Sequence, residues 1–215
     1  MPNYLYPIVA IILGIMIMMF PLFTYRKEDK KLRFSFLNCF PYEVVTNYRE
    51  RIWILVVGTI FVMFAGQSYI VTFIHCTNPM YQSVMYLAIV SYIVFLGNFT
   101  FGLDHYKTHI IMDLVSFLTQ IGASVTLFIA VVPENIYPTE INSVIGIIMG
   151  VVGMLLFMLL FIPQLKKWMY LDKCESDGKT IYIRPRYCAL SIVEWVFFIA
   201  GLFNLALLVV NSIII

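Results

Sequence analysis

Charge is what this sequence has least of. Asp, Glu, Lys and Arg make up 12% of its 215 residues, about half the share found in an ordinary soluble domain. The formal net charge is +2, and the Lys and Arg residues form no stripe along the chain, which excludes nucleic acid as a partner. Histidine is scarcer still, with three residues, His75, His105 and His109. The four cysteines, Cys39, Cys76, Cys174 and Cys188, include no CxxC pair, which excludes zinc-type spacing. They read as small apolar or loop residues and leave the redox compartment open. No internal repeat and no low-complexity linker divides the chain, so one domain over residues 1–215 is expected. The first apolar run has no basic segment before it and no A-x-A site after it, and is expected to be retained rather than cleaved. No cofactor is implied.

What fills the sequence instead is apolar. The hydrophobic share is 61%, and mean hydropathy is +0.90. A soluble fold of this size would have to expose much of that surface and would aggregate. Lipid as solvent removes the difficulty. A spanning helix needs about 20 mainly apolar residues, and six windows meet that length: Tyr4 to Tyr25, Ile52 to Ile74, Tyr81 to Leu103, Ile110 to Val132, Ile141 to Ile162, and Cys188 to Ile215. Pro79, Pro133, Pro138, Pro163 and Pro185 lie near the breaks, where residues that end helices belong. The expected fold class is all-α, a polytopic transmembrane bundle of six helices, in an integral, multi-pass membrane protein.

Basic residues orient the bundle. All 14 lie in alternate connections: Arg26, Lys27, Lys30, Lys31, Arg33, Arg49 and Arg51 after the first span, Lys107 after the third, and Lys166, Lys167, Lys173, Lys179, Arg184 and Arg186 after the fifth. The other connections hold none, and one carries Glu134 and Glu140. The positive-inside rule then places both termini outside. Trp53 and Trp168, beside basic residues at span ends, read as an aromatic belt. The first connection also carries Phe34, Phe36, Phe40 and Tyr42. Arg26, Lys27, Lys30, Lys31 and Arg33 are its candidate contacts to anionic lipid headgroups, each worth about 1 kcal/mol near the surface. In the last connection, two β-prone runs, Trp168 to Leu171 and Thr180 to Ile183, on either side of Ser176-Asp177-Gly178 suggest a hairpin, with a solvated loop as the alternative.

A carboxylate at mid-bilayer costs about 2.5–3.5 kcal/mol on insertion scales, so Asp113 and Glu194 need an explanation. One is interfacial placement, with water or a nearby base as partner. The other is a lipid-headgroup, ion or proton contact inside the bundle. Asp113, Glu194, His109 and Gln120 form the candidate intramembrane polar site, and Gln67 and Asn204 would join them if a path were lined. His105, His109 and Asp113 recur at i, i+4 and i+8, roughly one helical face, and imidazole with carboxylate suits zinc. That makes a metal-dependent membrane hydrolase one alternative, although the set is thin for a three-ligand site. Gly146 and Gly150 form a GxxxG pair with Gly153 following, which suits close helix packing within the chain or a dimer face. Asn98-Phe99-Thr100 matches the glycosylation sequon inside the third span, where it cannot be glycosylated.

Four local patterns follow one another in order: Phe40-Pro41-Tyr42, Gly97-Asn98-Phe99, His109, and Ala189-Leu190-Ser191 leading to Glu194-Trp195. Together they resemble the Frag/DRAM/Sfk family of membrane proteins: FGF-receptor-activating protein, damage-regulated autophagy modulator and suppressor-of-four-kinase relatives. The resemblance covers most of the chain. Glu43-Val44-Val45 stands where the family continues with an Ile-Ser-Asp-type segment. The resemblance implies about six spans and a non-enzymatic scaffold or regulator of membrane lipid organisation or autophagy and lysosome-type trafficking. It implies membrane lipids and partner membrane or cytosolic proteins as partners, and lysosomal, Golgi or plasma membrane as location. It also implies cytosolic termini, opposite to the charge count. A small transporter or lipid carrier using Asp113 and Glu194 is the alternative function.

Overall fold

A computed structural model describes residues 2–24, 48–100, 105–132, 141–164, 172–176, 179–183 and 188–215. Six helices form it: α1 (Leu5–Thr24), α2 (Tyr48–Phe73), α3 (Pro79–Thr100), α4 (Tyr106–Val131), α5 (Ser143–Leu159) and α6 (Ala189–Ile214). Strands β1 (Asp172–Ser176) and β2 (Lys179–Ile183) pair antiparallel before α6, from Asp172 with Ile183 to Ser176 with Lys179. A hairpin is therefore present, with Asp172–Ser176 as its first strand. Four helices are long and apolar enough to cross a membrane: Ile52–Phe73, Pro79–Asn98, Lys107–Val131 and Ala189–Ile214. The other two apolar stretches, Leu5–Phe20 and Ser143–Leu159, are shorter. α5 has 17 residues where the sequence suggested 22, because the chain turns from Leu160 ahead of Pro163.

Isoleucine and valine are the commonest residues of these segments, and in water both are only moderate helix formers. In lipid no water can satisfy a backbone amide, so a continuous apolar run closes its hydrogen bonds along its own axis. Polar residues mark where the runs begin. Asn78 precedes Pro79, and its Oδ1 accepts from the Met80 amide at 2.9 Å, a cap followed by proline in the first turn. Asn142 caps α5 in the same way, accepting from the Val144 amide at 3.0 Å. Hydroxyls inside the helices donate back to their own backbone, as Ser68 does to Phe64 O and Thr72 to Ser68 O.

Each helix packs against the next, and α1 closes on α6. α6 is the central element, for it touches all five others. It packs along α1, α2, α4 and α5, and Tyr92 of α3 donates to its Gly201 carbonyl. Phe198 of α6 stacks on Phe95 and meets Phe61, while Phe197 stacks on Phe117 at 4.1 Å between ring centroids. α5 packs on α4 through glycine. A Cβ on Gly146, Gly150 or Gly153 would lie 2.5, 2.3 or 2.4 Å from Val131, Phe128 or Ser124. The GxxxG stripe therefore faces a helix of its own chain.

The surface is apolar, and the mainly apolar interior also holds a set of polar side chains. Ile12, Met63, Ile93, Ile111, Leu155 and Phe203 are exposed on six different helices. Ser68, Ser91, Asn98, His109, Asp113, Ser116, Glu194 and Asn204 are buried. An apolar outside with polar groups kept inside is the arrangement that suits a hydrocarbon solvent.

Candidate functional site

Three helices bring polar side chains together at one end of the bundle. α3 ends there and α4 begins there, so Asn98 in the last turn of α3 faces the opening turns of α4. Gly97 permits that approach, since a Cβ on it would lie 2.3 Å from Met112 Sδ. His109 and Asp113 stand one turn apart on one face of α4. α6 starts at the same end and supplies Glu194 from its second turn. The opposite end is marked by the Asn142 amide, which donates to Asn211 Oδ1 at 3.0 Å. The start of α5 thus lies beside the end of α6.

His109, Asp113 and Glu194 have no solvent exposure, and Asn98 has 1%. His109 Nε2 lies 2.9 Å from Glu194 Oε1 and 3.3 Å from Asp113 Oδ2. Asn98 Nδ2 donates to Asp113 Oδ1. One donor atom from each of His109, Asp113 and Glu194 lies within 4.8 Å of the others, the spacing of groups that could hold a metal ion. Each carboxylate has a buried imidazole beside it, so the partner of both Asp113 and Glu194 is a base within the bundle.

The polar interior continues past this cluster. One turn on from Asp113, Ser116 and Ser91 of α3 bond reciprocally, each hydroxyl donating to the other's carbonyl at 3.0 and 3.2 Å. A further turn on, Gln120 Nε2 donates to Phe197 O at 3.1 Å, and Tyr92 donates to Gly201 O at 3.3 Å. Two small cavities adjoin these groups, and Tyr92, Ser91 and Gln120 line both. Each has a volume of about 10 Å³, near the minimum for one water molecule. Asn204 lines the first, and its Oδ1 has no hydrogen-bond partner among the described residues.

The structure thus joins His109, Asp113 and Glu194, and places Gln120 about two turns deeper. His105 does not join them. It is exposed and precedes α4 with φ −114° and ψ 47°, so helical spacing does not carry it onto the face of His109. The structure groups Glu194, and not His105, with His109 and Asp113. His75 is exposed, and Asp104 lies outside the described residues, as do Arg26, Lys27, Lys30, Lys31 and Arg33. Gln67 is half-buried on α2. Asn98 is the member that sequence reasoning left out of the site. The signal for it was a carboxamide deep in an apolar run, which demands a partner just as a carboxylate does.

Comparison of the chain with known protein families, with curated proteins and with solved structures gives no match.

Proposed function

We propose that this chain is a six-span integral membrane protein with both termini on the non-cytosolic side. It acts as a non-enzymatic scaffold or regulator of membrane lipid organisation, with membrane lipids and partner proteins as its ligands. One observation carries the reading: the polar interior is bonded largely within itself, and the cavities beside it have room for about one water each. A bundle packed in this way offers lipids and proteins its outside. The apolar flanks of all six helices meet acyl chains, and the basic first connection meets anionic headgroups. A setting in autophagy or lysosomal trafficking rests on the family resemblance alone.

The test is lipid selectivity in nanodiscs. Changing Arg26, Lys27, Lys30, Lys31 and Arg33 together to glutamine removes about 1 kcal/mol of headgroup attraction per residue. Enrichment of phosphatidylserine around the protein falls in the variant, and the difference shrinks as salt is raised. Equal enrichment in both proteins at low salt overturns the reading.

One observation favours a small transporter as the second reading. Asp113 and Glu194 face the interior together, in line with Ser116, Gln120 and Asn204. Cavities of this size suit protons or water rather than lipid. Proton flux into proteoliposomes that is abolished by Asp113→Asn would favour this reading over the first.

A further inference from the structure

We propose that His109, Asp113 and Glu194, with Asn98 as fourth ligand, bind a divalent transition-metal ion of the zinc type and tie α3, α4 and α6 together. The convergence of the donors is the first argument. One nitrogen, His109 Nε2, faces Glu194 Oε1 at 2.9 Å and Asp113 Oδ2 at 3.3 Å. A single N–H directs one hydrogen bond well and cannot aim at both oxygens. A cation placed among the three atoms can. With metal–ligand bonds of about 2.0–2.1 Å, neighbouring ligands lie about 2.9 Å apart in octahedral and about 3.3 Å apart in tetrahedral geometry. The observed separations span the range between those two edge lengths.

Charge is the second argument. Two carboxylates bring negative charge into a site without solvent exposure, and a cation bound between them offsets it. Asn98 is the third. It is 1% exposed and turned toward Asp113, and its Oδ1 has no hydrogen-bond partner among the described residues. Rotating the amide exchanges its nitrogen and oxygen, which turns a carbonyl-type donor toward the Asp113 side of the cluster. Imidazole, carboxylate and amide oxygen are the donors that zinc and its neighbours accept.

The site is closed. Four protein ligands with almost no exposure leave no position for water or substrate, which is the pattern of structural rather than catalytic metal sites. The ion would hold the end of the bundle where three helices meet. This inference does not depend on the scaffold reading.

The experiment uses the full chain, purified in detergent on an affinity tag without histidine. Metal content is measured by mass spectrometry, and Co²⁺ exchange is followed by visible absorption. The wild type is expected to carry a single equivalent of metal. A strong chelator removes it and lowers Tm, and Zn²⁺ restores both. Cobalt gives the absorption bands of a mixed nitrogen and oxygen site. Asp113→Asn and Glu194→Gln lose the metal, Asn98→Ala binds it about 10–100-fold more weakly, and Lys107→Gln, an exposed neighbour, keeps it. Where a carboxylate variant fails to fold, the chelator and cobalt titrations of the wild type decide. Wild-type protein that takes up no Zn²⁺, gains no Tm from it and shows no cobalt spectrum overturns the proposal. So does metal bound equally by wild type, Asp113→Asn and Glu194→Gln.

Discussion

Replacing Gly150 by alanine tests the packing of α5 on α4. The added Cβ would sit 2.3 Å from Phe128 Cβ, with Cδ2 and Cγ of the same ring at 2.8 and 2.9 Å. Carbon atoms pack best at about 3.5–4.0 Å, so the methyl is roughly 1.2 Å too close. Phe128 cannot rotate out of the way, because its Cβ is fixed to the backbone of α4. The two helices must therefore part, and contacts at Gly146 with Val131 and at Gly153 with Ser124 loosen with them. Overpacking of this kind costs about 1–3 kcal/mol, a several-fold change or more in the folded fraction. Gly66→Ala on α2 is the matched control. Its new Cβ would meet Ile89 Cγ1 at 3.8 Å, an ordinary contact, and alanine favours the helix by up to about 1 kcal/mol. Unfolding in detergent by titration with sodium dodecyl sulfate, followed by tryptophan fluorescence, reads both. Gly150→Ala shifts the midpoint down while Gly66→Ala leaves it level or higher. Equal midpoints for Gly150→Ala and wild type would refute the packing argument. A lost dimer with unchanged stability would instead assign the stripe to contacts between chains.

Two smaller effects follow from side-chain hydrogen bonds. Asn142→Ala removes the cap of α5, and a loss of about 0.5–2 kcal/mol is expected in the same titration; serine at this position should recover most of it. Tyr92→Phe removes the hydroxyl that bonds Gly201 O and Tyr69 while keeping the ring against Phe61, and the expected loss is about 0.6 kcal/mol per bond, typical of interhelical bonds in membranes. A loss of several kcal/mol from Tyr92→Phe would mean that this hydroxyl supports more of the interior than Gly201 O and Tyr69.

The chain order of the residues determines a good deal by itself. Six apolar runs broken by proline and polar residues become six helices, since backbone groups in lipid have no other way to satisfy themselves. The run from Thr180 to Ile183 pairs in a hairpin, but with Asp172–Ser176, while the other expected run, Trp168 to Leu171, lies outside the described residues. His109 and Asp113 share a face because they are four residues apart on one helix. The partner of that pair was not legible. Glu194 lies 85 residues from His109, and only the rotation of α6 about its axis decides whether its carboxylate faces lipid, solvent or α4. In a soluble helix an apolar stripe sets that rotation. Here the helices are apolar on nearly every side, so their faces carry little periodic signal. Close packing decides instead: Gly97 against Met112 brings Asn98 to Asp113, and Phe197 against Phe117 turns Glu194 toward His109. The helical spacing of His105 with His109 also misled, because the helix begins one residue after His105. Sequence alone settled which segments are helical and which residues are too polar for lipid. Which of those residues meet is a property of how six nearly featureless cylinders interlock.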